Sequence, residues 1–167
     1  MKRRKRYPMK GFTFIEILLV LGIIGIFLLV SYPSIQNTLK TRQLENTARE
    51  ILTTMQSAKF QAVKQKLSYR VRFDNTPGYW VYLLEREVEA DDWRPIPGAV
   101  RKTIPADFVV TINLPIQTVI YSSLGMVKNY SPAQHSITLR NPNLSQVSQT
   151  NARTINIFAG GSVQYVK

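Results

Sequence analysis

The spacing of hydrophobic positions changes twice along the chain. From Phe12 to Tyr32 apolar residues are nearly continuous, and Glu16 is the one charged side chain among them. Further on, Leu44, Ala48, Ile51, Leu52, Met55, Ala58 and Ala62 recur at intervals of three and four, the stripe of an amphipathic helix that packs on something else. Glu45 and Arg49 lie four residues apart on another face, in the favourable order for a helical ion pair. From Ser68 the pattern alternates instead. Tyr69 to Phe73 and Tyr79 to Leu84 read as two strands of a hairpin, with Asp74-Asn75-Thr76-Pro77-Gly78 as the turn.

The segment from Glu85 to Arg94 is polar and acidic, is soon followed by Pro95 and Pro97, and is expected to be a solvated loop. Later strand candidates are Phe108 to Ile112, Gln117 to Tyr121, Ser136 to Arg140, Arg153 to Phe158 and Ser162 to Val166. Ser122-Ser123-Leu124-Gly125 and Ala159-Gly160-Gly161 read as turns between them. Pro33 interrupts the first apolar stretch and favours a kink, because proline removes one helical donor. The expected architecture is α+β: one long N-terminal helix from Phe12 to about Lys66, packed through its second half on a C-terminal antiparallel β-sheet head.

Length separates the first apolar run from a core helix. About 21 residues at about 1.5 Å each give about 31 Å, close to the thickness of the hydrocarbon layer, so Phe12 to Tyr32 can span a bilayer. Charge then sets the orientation. Lys2, Arg3, Arg4, Lys5, Arg6 and Lys10 precede the run with no acid among them, which keeps the leader in the cytoplasm and sends the remainder across the inner membrane. The net charge of +12 comes from 22 cations and 10 acids; without the six leader cations, 16 remain against 10, a balance of +6. Half of the basicity is therefore topology. The chain has no cysteine, which excludes disulfides and thiolate metal sites.

A cleaved secretory signal would have a shorter apolar core and a small-x-small cleavage site, and Leu29-Val30-Ser31-Tyr32-Pro33 offers none. A plain signal anchor accounts for the leader and the length but not for Glu16. An acid in a spanning helix costs about 2 to 3 kcal/mol at the bilayer centre, less near an end, and calls for a partner.

Lys10-Gly11-Phe12-Thr13-Phe14-Ile15-Glu16, the basic leader and the following apolar helix resemble the class III signal of type IV pilins and of the pseudopilins of type II secretion. The resemblance implies cleavage after Gly11 by a prepilin peptidase and N-methylation of the new terminus at Phe12. It divides the chain into a leader (1–11), a transmembrane and assembly helix (12–32), the amphipathic second half of that helix (33–66) and a β-rich periplasmic head (67–167). Elementary chemistry gives these residues roles. Gly11 lets a protease approach the backbone closely. Cleavage creates an amine at Phe12, four residues from Glu16, and in a filament the carboxylate can pair with the Phe12 amine of a neighbouring subunit, where an unpaired charge is costly.

The run from Ala48 to Val71, and the closing Phe158-Ala159-Gly160-Gly161-Ser162-Val163, are similar to the H-type minor pseudopilins of type II secretion and to the FimT-like minor pilins. Lys59, Lys64 and Lys66 stand where such chains carry arginines. The implied function is that of a minor pseudopilin-like structural subunit that helps initiate a periplasmic filament for protein export. The alternative is a minor type IV pilin in pilus assembly or DNA uptake. The implied partners are the prepilin peptidase, other minor and major pilins or pseudopilins, and the inner-membrane assembly platform.

Catalysis finds no support. His135 is the single histidine, has no acid near it in sequence, and reads as a surface or packing residue. Glu85, Glu87, Glu89, Asp91 and Asp92 lack the oxygen spacing and turn glycine of a calcium loop. Gly160-Gly161 makes no phosphate-cradling motif. The chain is expected to be no enzyme and to need no cofactor or metal. DNA binding is the main rival function for the head, on Arg101, Lys102, Lys128, Arg140, Arg153 and Lys167. The moderate charge and the absence of an arginine-rich tail weigh against it. Trp80 and Trp93 are candidate partner contacts, with a core role the better reading of Trp80.

Overall fold

The structure, a computed structural model, describes residues 11–76, 78–144 and 151–166, with no account of the side chains of 30, 31 and 33. The basic leader through Lys10, Pro77 of the first turn and Lys167 lie outside the described residues. The chain divides into two compact units, Met1–Thr38 and Leu39–Lys167. One helix, α1, runs from Phe14 to Gln65 and contributes to both, with helical assignment continuous across Pro33. It ends where Lys66 takes a left-handed conformation, φ 58°, the usual device for stopping a helix, although glycine more often serves there.

In the second unit the stripe behaves as its spacing predicts. Leu44, Ala48, Ile51, Met55, Ala58 and Ala62 are fully buried in one core, while Leu52, at the margin of the stripe, is half-buried. They pack with side chains from two sheets rather than one. The first sheet has the order β3-β2-β1-β6 and is made of β1 (Tyr69–Thr76), β2 (Tyr79–Glu89), β3 (Asp92–Pro95) and β6 (Thr118–Tyr121), with the two-residue β4 (Lys102–Thr103) also on β2. The second has the order β5-β7-β8-β9, made of β5 (Val109–Asn113), β7 (Ser136–Arg140), β8 (Ala152–Ile157) and β9 (Val163–Val166). All described pairings are antiparallel. Alternation decides the inward face: in β1, Tyr69, Val71 and Phe73 are buried while Arg70, Arg72 and Asp74 are not.

The expected loop from Glu85 to Arg94 is instead a second hairpin. β2 continues to Glu89 and β3 returns against it. The acids there are cross-strand partners. Glu85 lies directly opposite Arg70 in the β1–β2 ladder, accepts a 2.6 Å bond from its Nε, lies 3.6 Å from Arg72, and is 4% exposed. The Arg70 guanidinium stacks 4.5 Å from the centroid of Trp93 in β3, so Trp93 is held within the sheet's charged face. Trp80 is partly buried against the core. The first hairpin is tighter than its turn residues suggest: Asp74, Asn75 and Thr76 belong to β1, and pairing reaches Thr76 opposite Tyr79. β6 starts at Thr118, one residue later than expected, because Ile116 and Gln117 both take positive φ and reverse the chain.

Glu45 meets Arg153 of β8, with 3.2 Å between carboxylate and guanidinium, and Arg49 lies 5.6 Å over the Tyr165 ring of β9. The charges that look like a helix-surface pair therefore both work across the helix–sheet boundary. The two predicted glycine turns meet. Gly125 and Gly161 have φ of 78° and 72°, and a Cβ built on Gly161 would sit 1.9 Å from the carbonyl oxygen of Gly125. The Val127 amide donates to the Ala159 carbonyl at 3.0 Å, and the Lys59 amine donates to the Gly160 carbonyl at 3.1 Å.

Two outcomes follow for thermal unfolding of the detergent-solubilised chain. Gly161→Ala is expected to destabilise the head by about 2 kcal/mol or more, through a clash and a strained φ, whereas Gly160→Ala, with open space around it, stays within about 0.5 kcal/mol of the parent. Glu85→Ala is expected to cost about 3 kcal/mol, because it strands Arg70 beside a buried site.

Candidate functional site

The candidate site is the start of α1. Gly11, Phe12 and Thr13 are not helical, and α1 begins at Phe14. Four backbone donors at a helix start lack partners, and a threonine followed three residues later by glutamate can satisfy two of them reciprocally. Thr13 and Glu16 do so. The Glu16 amide donates to the Thr13 hydroxyl at 3.3 Å, and the Thr13 amide donates to the Glu16 carboxylate at 3.5 Å. The helix start also places the carboxylate where the macrodipole favours it. Phe12 stands just before the cap and Ile17 in the following turn, the positions of a hydrophobic staple. Both line a groove of about 250 Å³ with Glu16, Val20 and Leu21.

Sequence spacing puts Phe12 one helical turn from Glu16. Phe12 nevertheless lies outside the helix, and the Glu16 carboxylate has a local partner in the Thr13 amide. Thr13 is the site residue that neither charge nor hydropathy singles out, although its signature, Thr13-Phe14-Ile15-Glu16, is a legible capping box.

Beyond the cap, every large apolar side chain from Phe12 to Leu29 is exposed. None of this apolar stretch of α1 is buried, and it is long and apolar enough to cross a membrane. An apolar helix with no protein around it requires another apolar medium, which is lipid or other helices.

Among the described residues no group of three or more histidines and acids could hold a metal ion. His135 is half-buried beside the Tyr130 ring, with centroids 6.3 Å apart, and its carbonyl accepts from the Ile157 amide. The acids Glu85 and Glu87 are engaged by Arg70 and Lys128. Bonding from the Ser68 hydroxyl and the charge of Lys128 hold the Glu87 carboxyl below its ordinary range. Of the cations considered for DNA, three are engaged in ion pairs. Lys102 pairs with Glu50 at 2.9 Å, Lys128 with Glu87 at 3.6 Å and Arg153 with Glu45 at 3.2 Å, on separate elements.

Comparison with known proteins agrees with this geometry. Residues 7–32 match the prokaryotic N-terminal methylation motif. No curated protein matches the chain in sequence. Among solved structures the chain is similar to the crystal structure of the type IV minor pilin FimU of Pseudomonas aeruginosa strain PAO1, at 14% identity and a TM-score of 0.55, over 76% of this chain and 90% of that one. The chain thus joins a methylation motif, running into an exposed apolar helix, to a fold similar to that of a type IV minor pilin.

Proposed function

We propose that the chain is a minor structural subunit of a pilin-type filament, cleaved after Gly11, methylated at Phe12 and assembled through the helix of residues 12–32. The observation that carries this reading is the capped, exposed apolar helix with a single carboxylate, Glu16, one turn inside its start. In the membrane the leader (1–11) is cytoplasmic and the head (67–167) periplasmic. On cleavage the Phe12 amine joins the region of the Glu16 carboxylate, and in the filament that carboxylate receives the amine of a neighbour. Pro33, which denies the helix one donor, is the point at which the two halves of α1 can flex.

Two filaments fit. The likeness of the head to FimU favours a minor subunit of a type IV pilus. The run from Ala48 to Val71 resembles H-type pseudopilins and FimT-like minor pilins alike, so a minor pseudopilin of type II secretion is the second reading. Deleting the gene separates them: loss of surface fibres with normal export supports the pilus, and loss of an exported protein with normal fibres supports the pseudopilus. In either filament the subunit works by assembly and mechanical coupling, with no reaction of its own.

Mass spectrometry of the chain extracted from membranes that contain a prepilin peptidase is expected to give a mature form beginning at N-methylated Phe12; a chain still carrying Met1 to Gly11 would overturn the reading. Glu16→Ala is expected to leave membrane insertion intact and to lower the filament-associated fraction by tenfold or more, and normal incorporation removes the pairing role. Thr13→Ala is expected to cost about 1 kcal/mol at the helix start, read as roughly fivefold faster amide exchange at Ile15 to Ile17, while Thr13→Ser retains protection.

A further inference from the structure

The last turns of α1 carry apolar side chains that the core leaves outside. Phe60 is 65% exposed, and Leu124 and Met126, on the turn after β6, are 72% and 50% exposed. Close packing holds these elements together. A Cβ on Gly125 would lie 3.0 Å from a Val63 methyl and 3.1 Å from Cε of Lys59, so the turn from Ser122 to Met126 rests directly on the helix. Phe60 and Val63 are neighbours at i and i+3 on that surface. Single exposed apolar residues are ordinary, but several large ones on two elements packed directly together mark an interaction surface.

Within residues 57–67, 122–127 and 158–163 the charged side chains are Lys59, Lys64 and Lys66. Lys59 donates to the Gly160 carbonyl, and the Lys64 amine lies 5.9 Å from the centroid of the Phe60 ring. Among the described residues none of the three is in an ion pair, while Glu45, Glu50, Glu85 and Glu87 are all engaged by cations elsewhere on the head.

We infer that this surface docks a different protein subunit, one whose contact face presents apolar side chains flanked by carboxylates. A second copy seated on the same patch would set lysine against lysine with no acid to relieve them. An anionic lipid surface recruits larger clusters of four to eight basic residues and needs no fixed shape. Here Leu124 and Met126 stand on a turn locked by Gly125 and Gly161, which is the preorganisation that a protein partner rewards. The inference rests on the reading that the chain assembles with other subunits, and names the face of the head that one of them uses.

Photo-crosslinking in cells tests it, with benzoylphenylalanine placed in the full-length chain at Phe60, at Leu124 or, as a separate report on helix assembly, at Leu21. The Phe60 and Leu124 probes are expected to yield adducts that mass spectrometry places on acid-containing peptides of another chain bearing the N-terminal methylation motif. The yield is expected to fall at least fivefold in Lys64→Glu/Lys66→Glu and to persist in Lys64→Arg/Lys66→Arg. Adducts only with a second copy, adducts only with lipid, no adducts, or a yield indifferent to charge reversal each overturn the docking surface. A silent Leu21 probe alone overturns the assembly reading instead.

Discussion

The head depends on one contact, the stripe of α1 from Leu44 to Ala62. Both sheets share one core cluster with it. Its residues explain the fit. Ala48, Ala58 and Ala62 let the sheets approach closely, and Leu44, Ile51 and Met55 fill the volume between them. The charged rim then fixes orientation, since Arg153 of β8 reaches Glu45 and Lys102 of β4 reaches Glu50 on the same helix. The Lys102–Glu50 pair is exposed and adds little energy, whereas Arg153 is buried against Glu45, and because the two pairs come from different sheets they specify how each lies on the helix.

The same helix has two kinds of surface, and that difference is legible in the spacing of its residues. A run without polar interruption and a run with apolar residues every third or fourth position cannot be buried in the same way. The long helix, the first hairpin and the later strands follow from spacing to within a residue or two at most ends. The segment from Glu85 to Arg94 does not, because strand and loop look alike when the exposed face of a strand carries charges that pair across it. Arg70 opposite Glu85, and Trp93 under Arg70, are cross-strand relations that no local window contains. The division into two sheets is hidden for the same reason, since strand order is a property of partners distant in sequence.

Glycine carries more information than its role as a turn former suggests. Gly125 and Gly161 belong to turns 36 residues apart in sequence, and each is readable singly. That the two must lie against each other and against Lys59 and Val63 is a steric fact of the folded head, and it is why the second glycine of Gly160-Gly161 is the constrained one. The closing hairpin is pinned through backbone, by the Val127 amide on the Ala159 carbonyl as well as by this close approach.

At the other end of α1, the capping box gives Glu16 a different meaning from that of a lone charge waiting for assembly. A carboxylate one turn into an apolar helix is tolerable only while something donates to it, and in the uncleaved chain the Thr13 amide and the helix dipole do so. The 3.5 Å length of that bond marks it as weak. A protonated amine is a far stronger donor, and cleavage after Gly11 would create one at Phe12, two residues before the helix begins. The carboxylate can therefore exchange a weak internal partner for a strong one without ever being left bare. The same cap starts the helix only at Phe14 and so keeps Gly11 and Phe12 outside it, where the bond between them is not tied into helical hydrogen bonding that a protease would have to break.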